Sequence, residues 1–320
     1  MRKLLIAVAL AVVAGTAGAQ AQTFPSRQIT LVAPFPPGGS TDIVARIIAE
    51  KMRPILGQPV IVENIGGAGG SIALGRVSRA PADGYTIDIG QWETHVGSII
   101  FNISYDLQTD FTPIGLMTIN PQLLAGKKNL PANNLRELVA WMKAHPGDAK
   151  YVNQTAAAQV AGILLQQTTG TQLTFIPYRG AGPAMTDLLS GQVDLLVAQA
   201  AVLLPQIRGG TIKGVANLAP QRSAAIPDIP TSDESGVPGL HMPGWFGLFG
   251  PKGIPGDVVA KLNNAMMQVL ADPAVKARLT ELGLDVAARE QQTPQGLAAF
   301  HKAEIEKWWP IIKAANIRGQ

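Results

Sequence analysis

The sequence contains no cysteine, which removes disulfides, thiolate nucleophiles and cysteine-ligated metals from consideration. Charged residues are scarce, 15% against 47% apolar, so the chain lacks the charge excess that marks disorder and is able to bury a core. Charge of one sign is missing too. The 26 Lys and Arg against 22 Asp and Glu leave +4 over 320 residues, and +2 once Arg2 and Lys3 are discounted, too little to indicate nucleic acid as a partner. No G-x-S-x-G elbow or H-E-x-x-H pair occurs, and His95, His145, His241 and His301 are scattered along the chain. A Ser-His-Asp set assembled only by folding stays open, with solvated or hydrogen-bonded histidines as the plainer account. No enzyme activity, metal or cofactor is expected.

Long apolar runs are absent beyond the first residues, so no later segment can cross a bilayer as a helix. The early run, Leu4 to Val13, follows Arg2 and Lys3 and precedes Ala19-Gln20-Ala21, the pattern of a secretory signal. Cleavage is expected after Ala21, with Ala19 the alternative. A signal-anchor helix is the competing reading, and the shortness of the run speaks against it. An exported chain without cysteine suits a bacterial periplasm, where the core alone must hold the fold.

What the chain does have is a run of turn-forming residues at the head of an amphipathic helix. Gln28 to Val32 reads as a strand, Ala33 to Arg46 (APFPPGGSTDIVAR) as a stiff loop and helix start, and Ile43, Ile47, Ile48 and Ile55 recur at helical spacing. A strand ending in such a loop presents free backbone N–H groups at the positive end of a helix dipole, a place for an anion. Pro59 to Glu63, followed by Asn64-Ile65-Gly66-Gly67-Ala68-Gly69-Gly70-Ser71, repeats the arrangement, and Tyr85 to Gly90 is a third strand entering Gln91-Trp92-Glu93-Thr94-His95. Strands alternating with helices imply a parallel sheet whose carboxyl-end loops gather at one ligand-binding edge.

Near Pro121 the pattern restarts. Helices at Leu135–Ala144, Val160–Thr168 and Pro183–Leu189 alternate with strands at Lys150–Asn153, Leu173–Ile176, Val193–Val197 and Ile212–Asn217, which makes a second α/β lobe. Pro227 to Gly244 turns to proline, glycine and acidic residues, a crossing segment. Trp245 to Phe249 then reads as a strand and Asp257–Leu270, Pro273–Leu282 and about Pro294–Ala315 as helices; the last carries Leu297, Phe300, Ile305, Trp308 and Ile312 on one face and is expected to brace the first lobe.

The glycine loops do not fit nucleotides. Gly39 stands where a P-loop needs lysine before its Ser/Thr pair, and Ile72 where a dinucleotide fingerprint needs its third glycine. Three residues carry two readings each. Asp42 either caps the helix start or holds the loop in shape. Arg179, at the end of a strand, either forks onto a ligand carboxylate or lies on the surface. Trp92 is either the lip of a cleft or the edge of a core.

The run Pro34-Phe35-Pro36-Pro37-Gly38-Gly39 with Asp42 and Ala45-Arg46 is followed by Val62-Glu63-Asn64, Gly67-Ala68-Gly69-Gly70 and Asp83-Gly84-Tyr85. Thr94-His95, Asp110-Phe111, Pro177-Tyr178-Arg179-Gly180, Gly191-Gln192-Val193-Asp194, Pro227-Asp228-Ile229-Pro230-Thr231 and Lys261-Leu262-Asn263 continue it over essentially the whole mature chain. This series resembles the Bug (TctC-like) family, the extracytoplasmic solute receptors of tripartite tricarboxylate transporters. The resemblance implies a two-lobed α/β periplasmic binding protein, a Venus flytrap with a mostly parallel sheet in each lobe. Residues 22–122 with 240–320 would form the first lobe and 123–239 the second, working as a monomer that binds a small organic carboxylate and hands it to membrane transporter subunits or a sensor protein. It places Pro37, Gly38, Gly39, Ser40, Thr41, Ala68 and Gly69 on one side of the cleft and Gln154, Thr155, Tyr178 and Arg179 on the other.

Three departures from the family's pattern bear on the ligand. The loop Gln154 to Ala158 is short and alanine-rich, Gln199 follows Ala198 where family members often carry an aspartate, and Trp92 and Glu93 occupy a loop usually filled by small polar residues. These changes imply a more apolar far half of the pocket, suited to a hydrophobic or aromatic acid rather than citrate, with Glu93 alternatively reading an ammonium group.

Overall fold

The computed structural model describes residues 23–178, 180–223 and 226–318; the signal-sequence reading lies outside them. Strands β1 (Ile29–Ala33), β2 (Val60–Asn64) and β3 (Thr86–Gln91) run parallel in the order β2-β1-β3. Helices α1 (Ser40–Leu56) and α2 (Ser71–Val77) connect them. All three strands therefore end at the same edge, where the two glycine loops and the segment after Gln91 sit side by side. The buried face of α1 is Val44, Ala45, Ile48, Ala49, Met52 and Leu56. Ile55 is instead 38% exposed, so the helical stripe is turned from the isoleucine spacing by about one position.

The sheet continues antiparallel through β9 (Pro243–Pro251) to β4 (Phe111–Lys127), the 17-residue strand on which the fold turns. Up to Pro121 it pairs with β9, and Ile119 and Thr118 also pair with the short β10 (Asp285–Val286). From Gln122 it pairs with β7 (Leu195–Gln199), and from Leu123 with β8 (Ile212–Asn217). Beyond β7 lie the parallel strands β5 (Lys150–Asn153) and β6 (Thr174–Pro177). One strand thus belongs to two sheets, and the change of partner falls at Pro121, a residue that brings no N–H to a ladder. The second crossing runs beside it, with Leu218 N–H donating to Gln122 O and Met242 N–H to Leu218 O.

Helices α3 (Trp92–His95), α4 (Leu135–Ala144), α5 (Ala156–Thr169), α6 (Ala181–Ser190) and α7 (Ala200–Arg208) follow the strands, and α8 (Gly256–Ala271), α9 (Pro273–Glu281) and α10 (Pro294–Ala314) close the chain. Alpha-helix α1 packs on α8 over a core that includes Ile48, Met52, Leu262, Met266 and Val269. Leu188, Leu203 and Leu204 from α6 and α7 cover the second sheet. The architecture is the two-sheet α/β receptor fold expected from the sequence, with parallel strands on the outer side of each sheet and antiparallel ones where β4 and β9 join them.

Candidate functional site

The loops at the carboxyl ends of β1, β2 and β3 abut. A Cβ on Gly66 would sit 3.4 Å from Pro36, and one on Gly70, whose φ is +90°, would sit 2.6 Å from Thr94 Cγ2 and 3.1 Å from Pro34 Cβ. Only glycine fits at position 70, because the left-handed backbone and the close approach both exclude a side chain. Pro37 and Gly38 are exposed, Gly39 is half-buried, and Ser40 and Thr41 are buried as the chain enters α1. The N-cap Gly39 supplies no side-chain acceptor to the first N–H groups of this long helix, so its positive end stays open to an anion. Ala68, exposed, adopts a left-handed φ of +44°, and Gly69 stands against the Phe101 ring.

Asp42 holds the loop. Its carboxylate accepts from Gly38 N–H (3.0 Å), Arg46 Nε–H (3.0 Å) and the Asn64 amide (3.0 Å). Burial alone would raise this carboxyl, but the bonds from Arg46, Gly38 and Asn64 together hold it below the usual range. Its charge is spent on these partners, which leaves the outer N–H groups of the helix start without a competing anion.

From this edge a hydrogen-bond chain crosses to the second sheet. Thr41 Oγ1–H donates to Gln91 Oε1 (3.0 Å), and the same oxygen accepts from Gln199 Nε2–H (3.2 Å). Gln199 stands opposite Gln122 in the β4–β7 register, and Gln122 Nε2–H reaches Glu93 Oε1 at 3.4 Å. Asn120 lies two residues back on the same face of β4, beside Gly244, where a Cβ would meet its Nδ2 at 2.8 Å and Gln122 Nε2 at 3.5 Å. Gln154 donates to Val197 O, next to this group on β7. Gln91, Glu93, Asn120, Gln122 and Gln199 are all at least nine-tenths buried.

Sequence reasoning placed Thr41, Glu93, Gln154 and Gln199 in this region, and the structure brings them together with Gln91, Asn120 and Gln122, which it missed. Amides form no motif. The signal for Gln91 was its place at the end of β3, and for Asn120 and Gln122 their alternation along a strand, legible only once β4 is known to cross between sheets.

Other candidates go elsewhere. Trp92 is fully buried, edge-on to Trp308 at 5.4 Å, and belongs to the core. It adjoins Glu93 in a helix, and neighbouring positions point about 100° apart, so the two cannot share the cleft face. The Thr155 hydroxyl is taken up as the N-cap of α5, accepting from Ala158 N–H. The Tyr178 hydroxyl donates to Asp187 (2.5 Å), an acceptor bond that, with burial, raises it to about 12. Arg179 lies outside the described residues. Ala156, Ala157 and Ala158 are turned into the protein interior, so the alanine-rich loop does not make the far half apolar. Amides and a carboxyl face it instead.

Burial pushes the Glu93 carboxyl up to about 7, only partly offset by its own backbone N–H and by Gln122. The folded chain therefore holds a proton there that the unfolded chain, titrating near 4.5, releases. The stability Glu93 contributes is present in full below pH 4.5 and is lost as pH rises through 7. Glu93→Gln should remove this slope. Urea unfolding of the unliganded proteins is expected to show the variant gaining about 3 kcal/mol relative to wild type between pH 4.5 and 8. A difference that does not change with pH would mean that Glu93 is solvated.

Behind the site, Thr94 Oγ1 lies 3.1 Å from His95 Nδ1 and Asp88 lies 3.6 Å from His95 Nε2, an order resembling a nucleophile, base and acid. All three are fully buried, Phe249 stacks on the imidazole at 4.0 Å, and burial pushes His95 down and Asp88 up, towards neutral forms. Among the described residues no group of metal-ligating side chains is assembled.

The profile of the tripartite tricarboxylate transporter family receptor, TctC, matches residues 44–317. The malate-bound MatC of Rhodopseudomonas palustris is 37% identical and superposes with a TM-score of 0.84, covering 90% of this chain and all of MatC. An R. palustris protein with bound adipate is 32% identical with a TM-score of 0.86, covering 92% of this chain and 99% of its own. BugT of Bordetella pertussis is 32% identical over 319 residues, 98% of this chain and 97% of BugT. With the family profile matching residues 44–317 and relatives of 32–37% identity covering nine-tenths or more of its length, the chain belongs to the TctC family of tripartite tricarboxylate transporter receptors.

Proposed function

We propose that this protein is a periplasmic solute receptor that captures a small organic carboxylate between its two sheets and delivers it to the membrane subunits of a tripartite tricarboxylate-type transporter. The observation that carries the reading is the uncapped start of α1 standing one hydrogen bond from Gln91, whose oxygen also receives Gln199 from the opposite sheet. A carboxylate seated on the N–H groups of α1 gains charge-assisted bonds. Residues 123–239 then close on residues 22–122 and 240–320 by bending at the two crossings near Gln122 and Leu218, and the closed form is what the membrane partner recognises. The malate and adipate held by relatives support the ligand class. The sealed Thr94–His95–Asp88 group supports binding without chemistry. Among the described residues no helix is long and apolar enough to cross a membrane.

The mature chain, residues 22–320, tested against mono-, di- and tricarboxylates by thermal shift, should be stabilised by at least one by about 5 °C or more at a hundredfold excess over Kd. A flat response across the panel would overturn the assignment.

A further inference from the structure

We propose that Glu93 reads a protonated amine on the ligand, so that the substrate class is a carboxylate that also bears an ammonium group; the inference rests on the carboxylate-receptor reading above. The region around Glu93 holds more hydrogen-bonding capacity than it uses. Glu93 Oε2, Gln154 Oε1 and Gln199 Oε1 are buried oxygens without a partner, and Asn120 Nδ2 is a buried donor without one. A buried unpaired acceptor costs about 1–3 kcal/mol, and a buried carboxylate more. A cluster of them therefore points to a group that arrives from outside.

Three features choose the ammonium. The free oxygens outnumber the free donors, and an ammonium offers three N–H bonds. Glu93 is the acid among them, and no cationic side chain among the described residues acts on it, so the charge that would match it must come with the ligand. The amides at Gln122 and Gln199 are uncharged, and Asp42, the nearest acid on the α1 side, is already neutralised by Arg46. Above pH 7, where the Glu93 carboxyl is ionised, a dicarboxylate without an amine would set its second anion against it. Gly244 packs its backbone against the Asn120 and Gln122 amides, where a Cβ would come within 2.8 Å of Asn120 Nδ2. The ligand's carboxylate then lies at α1 and its nitrogen towards Glu93, with Gln91 and Gln199 between them.

Matched pairs test it by calorimetry on the mature chain: aspartate against succinate, glutamate against glutarate, and 4-aminobutyrate against butyrate. The amino member of at least one pair should bind about 30-fold more tightly than its partner. In Glu93→Gln, an isosteric change, that preference should fall below about threefold through loss of affinity for the amine, with the amine-free acid unaffected or bound better. Amine-free acids that bind at least as well as their partners in wild type would overturn the ammonium assignment and leave the carboxylate receptor standing. A preference retained in the variant would move the recognition away from Glu93 and equally overturn it. No binding by either member of any pair, with no response to the wider carboxylate panel, would overturn both.

Discussion

Gln91→Leu is expected to weaken binding of the best-stabilising carboxylate by roughly 30- to 1,000-fold while leaving the unliganded fold in place. The change roughly keeps the volume of the side chain and removes its amide, the oxygen with it. That oxygen accepts two buried bonds, from Thr41 on α1 and from Gln199 at the end of β7. Leucine leaves both donors unpaired wherever the two sheets meet, at about 1–3 kcal/mol each. When the cleft opens, water reaches Thr41 and Gln199, so the penalty falls on the bound form and shifts the balance towards the open one. About 2–4 kcal/mol corresponds to the stated range in Kd. Calorimetry gives the affinity, and small-angle scattering with saturating ligand reports whether closure still occurs. An unchanged Kd would remove the Thr41–Gln91–Gln199 chain from the closed state and with it the proposed path between the lobes.

The first glycine loop and its helix were legible because each residue there obeys a local rule: turn-forming prolines and glycines, then apolar spacing, then a carboxylate in the first turn. The last helices were legible for the same reason, and their observed bounds, Gly256–Ala271, Pro273–Glu281 and Pro294–Ala314, fall within a residue or so of the periodicity. Strand β4 was not. Pro113, Gly115 and Pro121 break its apolar run, and in a sequence they read as punctuation. In the structure the register shifts at Pro113/Gly115 and at Leu116/Thr118, and Pro121 sits where one sheet hands over to the other. Each irregularity is absorbed by a tertiary arrangement that local rules do not contain.

The same gap explains the site. Trp92 drew attention as a large side chain in a cleft loop, yet its area is what the core uses, and the shorter Glu93 beside it is the one that faces the polar seam. Asn120 and Gln122 carry no signature at all; their role comes from a pairing between residues 122 and 199. Tyr178 matches a family motif, but its hydroxyl is committed to Asp187. Motifs located the edge of the sheet where the proposed site lies, and register selected the side chains that reach it.

Trp308→Ala is expected to destabilise the chain by about 3–5 kcal/mol, the cost of removing a large buried aromatic and leaving a cavity. Trp308 is 1% exposed on α10 and meets the Trp92 indole edge-on at 87°. Trp92 in turn fills the space beside Gly97, where a Cβ would come within 2.7 Å of its ring and 3.1 Å of Ala156. Two further bonds tie α10 to the same segment, from His301 Nε2–H to His95 O at 2.7 Å and from Trp309 Nε1–H to Val96 O at 3.1 Å. The final helix therefore fixes the position of residues 92–97, which begin at the seam with Gln91 and Glu93. Loss of Trp308 removes one side of the wedge that holds Trp92 and frees α3 to rotate, so ligand affinity should fall in the variant even under conditions where it is fully folded. Trp308→Phe restores an aromatic edge and is expected to recover most of the affinity and more than half of the stability, in the manner of size-graded core substitutions. Urea unfolding gives the first quantity and calorimetry the second. A loss under about 1 kcal/mol would place Trp308 outside the supporting core, and a large stability loss with unchanged affinity would show that the seam is held from the sheet side alone, by β3 and β4.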